Sequence, residues 1–232
     1  MTVPYETAKA DLLQAILMHV PFDGWSEAAF QAAIRDTELA PSVARAICPR
    51  GAVDLAIAFH KAGDAAMLER LSEADMSGMK FREKVTAAVR YRLEVVEDKE
   101  AVRRGTTLFA LPMYAPDGAK LVWGTCDAIW TALGDTSEDV NWYTKRATLA
   151  GVYSSTVLYW LGDDSPDYMA TWAFLDRRIE DVMRIEDVKA RVRKSPTLSR
   201  LMAGPNWVLG QIKAPSRSPR TDMPGRWTTP RE

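Results

Sequence analysis

The groups best equipped for chemistry in this chain sit together in GDTSEDVNWYTKR, residues 134–146. There Asp135, Ser137, Glu138 and Asp139 precede the cations Lys145 and Arg146. Carboxylates beside cations could exchange protons as general acids and bases. The rings of Trp142 and Tyr143 beside the same cations could stack nucleobases. A structural use fits the spacing better. Acceptors and anions belong at a helix start, where free amides and the helix dipole favour them. Trp142 and Arg146 are four residues apart, as are Tyr143 and Ala147, so each pair stacks along one helical face. The string reads as a well-capped helix with aromatic faces.

Elsewhere the means of catalysis are sparse. The only histidines are His19 and His60, and no HExxH, ExxH or CxxC occurs. Neither zinc nor di-iron ligand spacing is therefore available. Cys48 and Cys126 make no disulfide framework, which points to a reducing, cytosolic setting. No GxSxG elbow, Walker loop or GxGxxG is present. Asp163 and Asp164 fall at a helix end, where capping accounts for them. The expectation is a protein that is not an enzyme and holds no metal.

Helical periodicity governs the elements that must position these groups. The spacing predicts helices near 5–19, 26–36, 41–47, 51–72, 78–97, 99–111, 116–133, 138–160, 166–186 and 196–213. The fold class is all-α, a bundle of about nine or ten helices. Pro21-Phe22-Asp23-Gly24 reads as a turn. Gly134 and Gly162 suit the left-handed position after a helix end. Ser165-Pro166 and Ser195-Pro196 each set a hydroxyl cap before a proline at the first helical position. The stretch from 214 is proline-rich, lacks an apolar face and reads as disordered. The first twenty residues have neither a basic n-region nor an 18-residue apolar run, and Glu6 argues against an organelle presequence.

Charge is unevenly placed. The chain carries −1 overall, yet residues 188–220 contain eight cations and no Asp or Glu, leaving about −9 elsewhere. Within that basic stretch Leu198, Leu201, Met202, Val208, Leu209 and Ile212 form one stripe with Pro205. Arg200 faces away and Lys213 lies near the edge. This is the pattern of a basic amphipathic helix on an anionic membrane surface. Pro205 weakens that helix by about 3 kcal/mol.

Near the N-terminus, GWSEAAFQAAIRDTELAPSVARAICPRGAVDLAIAFH reads helix, helix, short turn, helix, and resembles the helix-turn-helix of TetR-type regulators. A DNA reader needs cations for phosphates. Residues 26–54 hold three (Arg35, Arg45, Arg50) against four acids (Glu27, Asp36, Glu38, Asp54). The element reads as degenerate, with no nucleic acid expected.

Asp127-x-x-Trp130, Gly134-Asp135, Ser137, Asp139 and Asn141-Trp142-Tyr143-Thr144-Lys145-Arg146 resemble the Coq-nine family of ubiquinone-biosynthesis proteins. LAGVYSSTVLYWLGDDSPDYMATWAFLDRRIEDVM continues the likeness, as does VPFDGWSEAAF. The resemblance runs over roughly residues 8–185. It implies a TetR-like homodimer that has lost DNA binding and holds a quinone precursor or another isoprenoid lipid, without a cofactor. It implies an accessory role beside the di-iron demethoxyubiquinone hydroxylase, at an anionic membrane surface. A bacterial, cytoplasmic member peripheral to the inner membrane is expected. The position matching Trp172, with Asp167 and Tyr168 beside it, is implied to dock the hydroxylase. Tyr168, Trp172, Leu175, Ile179 and Val182 form an apolar arc, and Phe174 and Ile185 widen it beyond what one core covers, about 100°. The expected parts are a degenerate helix-turn-helix region (1–60), a lipid-binding body (61–187), a membrane segment (188–213) and a tail (214–232). The alternative is a ligand-responsive TetR-type transcriptional regulator.

Overall fold

The amphipathic periodicities resolve into ten α-helices among the described residues of a computed structural model, which are 5–194 and 214–215. They are α1 Tyr5–Leu17, α2 Val20–Asp23, α3 Glu27–Asp36, α4 Pro41–Ile47, α5 Ala52–Glu73, α6 Phe81–Glu94, α7 Lys99–Phe109, α8 Ala115–Ala132, α9 Val140–Leu161 and α10 Met169–Lys194. The described residues contain no strand. The membrane-surface residues Leu198, Arg200, Leu201, Met202, Val208, Leu209, Ile212 and Lys213 lie outside them.

Local chemistry sets the helix starts. The Ser26 hydroxyl accepts from the Ala29 amide at 3.2 Å, opening α3. The Asp98 carboxylate accepts from the Glu100 and Ala101 amides at 2.8 and 3.1 Å, opening α7. Asp139 accepts from the Asn141 amide at 2.9 Å, opening α9. Two expectations change. Residues 20–23 form a one-turn helix rather than a plain turn. α10 runs on to Lys194, past 186, because 187–194 contain no glycine or proline and several strong helix formers.

Two apolar clusters organise the bundle. One joins α1, α3 and α4 to the first half of α5, around Leu12, Ile16, Phe30 and Leu55. The other joins the far end of α5 to α6, α8, α9 and α10, around Met67, Val89, Ile129, Trp160 and Leu175. α5 runs through both, so the two clusters share one helix. Gly134 takes φ +81 after α8, as expected of a helix-ending glycine. Gly162 does not: its φ is −98, and it closes α9 through its amide to the Tyr159 carbonyl at 3.1 Å.

Candidate functional site

A cavity of about 340 Å³ opens where α5, α6, α7, α8 and α9 meet, with Trp25 in its lining. Most of its wall is apolar or backbone-like: Ala56, Phe59, Val102, Gly105, Phe109, Gly118 and Val122. The Trp25 indole is pinned by its N–H to the Ala101 carbonyl at 3.0 Å and by the Phe59 ring at 5.6 Å. Such a volume lies at the small end of the range for ligand pockets, about 300–1,000 Å³. The described residues contain no group of His, Cys, Asp and Glu able to hold a metal.

Polar groups gather on one wall of this cavity. Arg92, His60 and Tyr153 line it. Arg92 Nε donates to Asp64 Oδ1 at 2.7 Å, and Nη2 donates to the His60 carbonyl at 3.0 Å. Thr125 donates to Asp64 Oδ1 at 2.9 Å, and its hydroxyl lies 2.8 Å from His60 Nε2. Burial pushes His60 down to about 4, assisted by the Arg92 charge and opposed by Asp64, so it is neutral near pH 7. Gly63 makes room for this wall: a Cβ there would meet Arg92 Nη1 at 2.6 Å.

The 134–146 string folds into a structural knot. Arg146 is wholly buried, with Nε on Asp127 at 2.6 Å and Nη1 on Asp135 at 3.0 Å and on the Trp142 carbonyl at 3.0 Å. Its guanidinium lies 4.0 Å from the Trp142 ring centroid. Lys145 Nζ reaches Asp135 at 2.8 Å and the Ser137 hydroxyl at 2.7 Å. Trp130 donates to the Lys145 carbonyl at 3.2 Å. Burial raises the Asp135 carboxyl, but hydrogen bonds from Lys145, Ser137 and Arg146 outweigh it and hold the group well below the carboxylate range. Trp142 meets Tyr143 edge-on at 4.8 Å, and Asn141 is exposed at the helix start with its amide on Asp139. Asp135 therefore fastens α9 to its preceding loop rather than capping a helix.

At the other end of α9, the chain turns into α10 through two left-handed residues, Asp167 (φ 50) and Tyr168 (φ 55). Trp172 is half-buried, donates to the Asp167 carbonyl at 2.8 Å, and lies under Arg90 at 4.9 Å. The structure thus brings Asp167, Tyr168 and Trp172 to one corner. Lys99 Nζ sits 4.8 Å from the Tyr168 ring and donates to the Asp163 carbonyl at 2.8 Å. Hydrogen bonds from Thr171 and Ser165 hold the Asp163 carboxyl well below the carboxylate range. Along the arc, Leu175 and Ile179 are buried and Val182 is half-buried, while Phe174 turns away to stack on Tyr159 at 4.5 Å.

The family model for COQ9 matches residues 115–186, which contain the knot and the corner. The mitochondrial ubiquinone biosynthesis protein COQ9-A of Xenopus laevis is 31% identical over 193 residues, covering 78% of this chain and 60% of that protein. Its counterpart in Drosophila melanogaster is 32% identical over 186 residues, covering 78% and 57%. The chain is thus similar to COQ9 proteins over most of its length. It spans about 60% of the length of these relatives. A TetR transcriptional regulator from Nitrosomonas europaea aligns with a TM-score of 0.62 at 15% identity, covering 75% of this chain and 97% of that one. The fold of the chain is therefore TetR-like and all-α.

Two of the three cations in residues 26–54 are paired with acids. Arg45 of α4 pairs with Glu27 and lies over the Phe30 ring. Arg50 bridges Asp54 and Asp117 at 2.9 and 2.8 Å. No helix among the described residues is long and apolar enough to cross a membrane. Sequence reasoning missed the cavity wall altogether. Its faint signal is the His60–Asp64 pair at i,i+4 and an arginine, Arg92, on the apolar face of α6.

Proposed function

We propose that this chain is a non-catalytic accessory protein of ubiquinone biosynthesis that holds a quinone precursor or related isoprenoid lipid and presents it to a membrane-associated di-iron hydroxylase. The observation that carries the reading is the apolar cavity between α5 and α9 in a chain similar to COQ9 proteins. An apolar concave site with a few convergent polar groups suits a largely hydrophobic small molecule.

The corner of Asp167, Tyr168 and Trp172 is the surface we assign to the hydroxylase. Two adjacent strained residues and a half-buried tryptophan support that role, since Trp anchors are frequent at interfaces and local strain clusters at functional positions. We assign Leu198, Leu201, Met202, Val208, Leu209, Ile212, Arg200 and Lys213 to the membrane surface on their amphipathic, basic pattern. Homodimerisation belongs to the same proposal. The DNA-reading alternative is disfavoured by the pairing of Arg45 and Arg50 with acids.

Native mass spectrometry of the purified full chain, followed by lipid extraction, tests the assignment. The expected result is a dimer carrying apolar lipid. Recovery of lipid-free protein that takes up neither quinone nor phospholipid overturns it.

A further inference from the structure

The cavity has two unlike kinds of lining, and the difference constrains what enters and which way round. Its bulk is lined by aliphatic, glycine and phenylalanine surface. One wall carries His60, Arg92 and Tyr153, the first two joined behind the surface by Asp64 and Thr125. Tyr153 lines the same wall, close enough to Thr125, Arg92 and Asp64 for each to act on its hydroxyl, so all five side chains form one cluster. Burying five polar groups beside an apolar cavity is expensive unless each finds a partner. A packed aliphatic wall would serve stability at least as well.

The charge state of this wall is informative. Arg92 is 5% exposed and tied to Asp64, which is 16% exposed, so the pair contributes a dipole and no net charge. His60 is neutral near pH 7. Arg92 is the sole Arg or Lys among the cavity-lining residues, and its charge is already compensated. An anionic headgroup brought here would be stripped of water and would meet no uncompensated cation. An uncharged oxygen faces the opposite balance: hydroxyl, imidazole and guanidinium groups can share hydrogen bonds with it without disturbing the ion pair. Gly63 holds the guanidinium against the α5 backbone, which keeps the wall in one arrangement.

We propose that Arg92, Asp64, His60, Thr125 and Tyr153 form a head-recognition wall, which accepts an uncharged, oxygen-bearing ring inserted head-first and rejects an anionic phosphate head. The ligand's chain then lies along the apolar walls toward Leu158, a lining residue that is 60% exposed. The inference rests on the lipid-binding reading above and adds to it the polarity, charge and orientation of the ligand. A quinone and a phenol share the required chemistry.

Three single-chain probes separate the possibilities: a decyl-substituted benzoquinone, decylbenzene and decyl phosphate, with a decylphenol as a further arm. Affinities for the full chain are read by displacement of a fluorescent apolar probe. The benzoquinone, the decylphenol or both should bind about tenfold more tightly than decylbenzene, and decyl phosphate should bind most weakly. Comparison of the first two identifies whether a carbonyl or a hydroxyl is preferred. Tyr153→Phe, which keeps the ring and its volume, should weaken the preferred oxygenated probe by about 3–10-fold, the worth of one hydrogen bond, and leave decylbenzene unchanged. Equal affinity of oxygenated probes and decylbenzene overturns the head wall while leaving the lipid-binding reading intact. Tightest binding by decyl phosphate, or an equal loss for every probe in Tyr153→Phe, overturns it as well. Failure of all probes to bind overturns both readings.

Discussion

Replacing Asp135 by Asn tests the knot at the start of α9. Arg146 is wholly buried and Asp135 is 2% exposed, so this pair works with little solvent screening. Asp127, the other carboxylate on Arg146, is 44% exposed and is a weaker counter-ion. Asparagine keeps the shape and one acceptor but removes the charge, leaving a buried guanidinium with a half-exposed partner. Removing one member of a buried ion pair costs about 3–5 kcal/mol. For a domain of this size that is roughly 6–20 °C in Tm, at about 2–4 °C per kcal/mol. The assay is calorimetry from pH 7 to pH 2 on wild type, Asp135→Asn, Arg146→Met and the double variant. The double variant should be less damaged than the sum of the two singles by about 1–3 kcal/mol. The pH sign follows from the depressed Asp135 carboxyl. Its contribution is full above the unfolded value of about 4 and is lost as pH falls toward the lower folded value. The gap between wild type and Asp135→Asn should therefore narrow below about pH 4. Additive single variants, or a gap that stays constant down to pH 2, refute the reasoning.

Three further outcomes are expected. His60 titrates at about 4 when folded and near 6.5 when unfolded, so its contribution is present above 6.5 and lost as pH falls through 4, up to about 3 kcal/mol; His60→Gln should flatten the fall in urea midpoint between pH 7 and 4.5, and an unchanged fall removes His60 as its source. Trp172→Lys should abolish co-purification with the di-iron hydroxylase while costing only about 1–2 kcal/mol, less than a buried tryptophan, because the ring is half-buried; a loss of 3–5 kcal/mol in urea melts would instead make it a core residue. Truncation after Lys194 should leave only weak, salt-labile binding to anionic vesicles; co-sedimentation equal to full length would remove 196–213 as the membrane element.

Most helices were legible because they carry their own apolar spacing, and α3, α7 and α9 their own side-chain caps. The Trp142–Arg146 stack was equally legible, being an i,i+4 pair. Asp135 was misread as a helix-start anion. Its real partners lie one loop and one helix turn further on, and its burial depends on α8, which spacing within 134–146 does not reveal. The cavity left still less trace. Gly105, Gly118 and Ala56 line it, yet in sequence such residues read as ordinary contacts between helices. Its polar wall joins Asp64, Arg92 and Thr125 across separations of 28 and 61 residues. Only the tertiary fold converts that distance into a network.

The corner at Asp167 and Tyr168 carries a consequence for engineering. Left-handed backbone suits glycine or asparagine; a bulky tyrosine there is strained by about 1–3 kcal/mol. A library selected for thermal stability alone should therefore enrich Gly or Asn at 168, cheaply and repeatedly. A library selected for function in cells should keep the tyrosine. The difference between the two populations would measure how much robustness this turn gives up to hold its ring in the open.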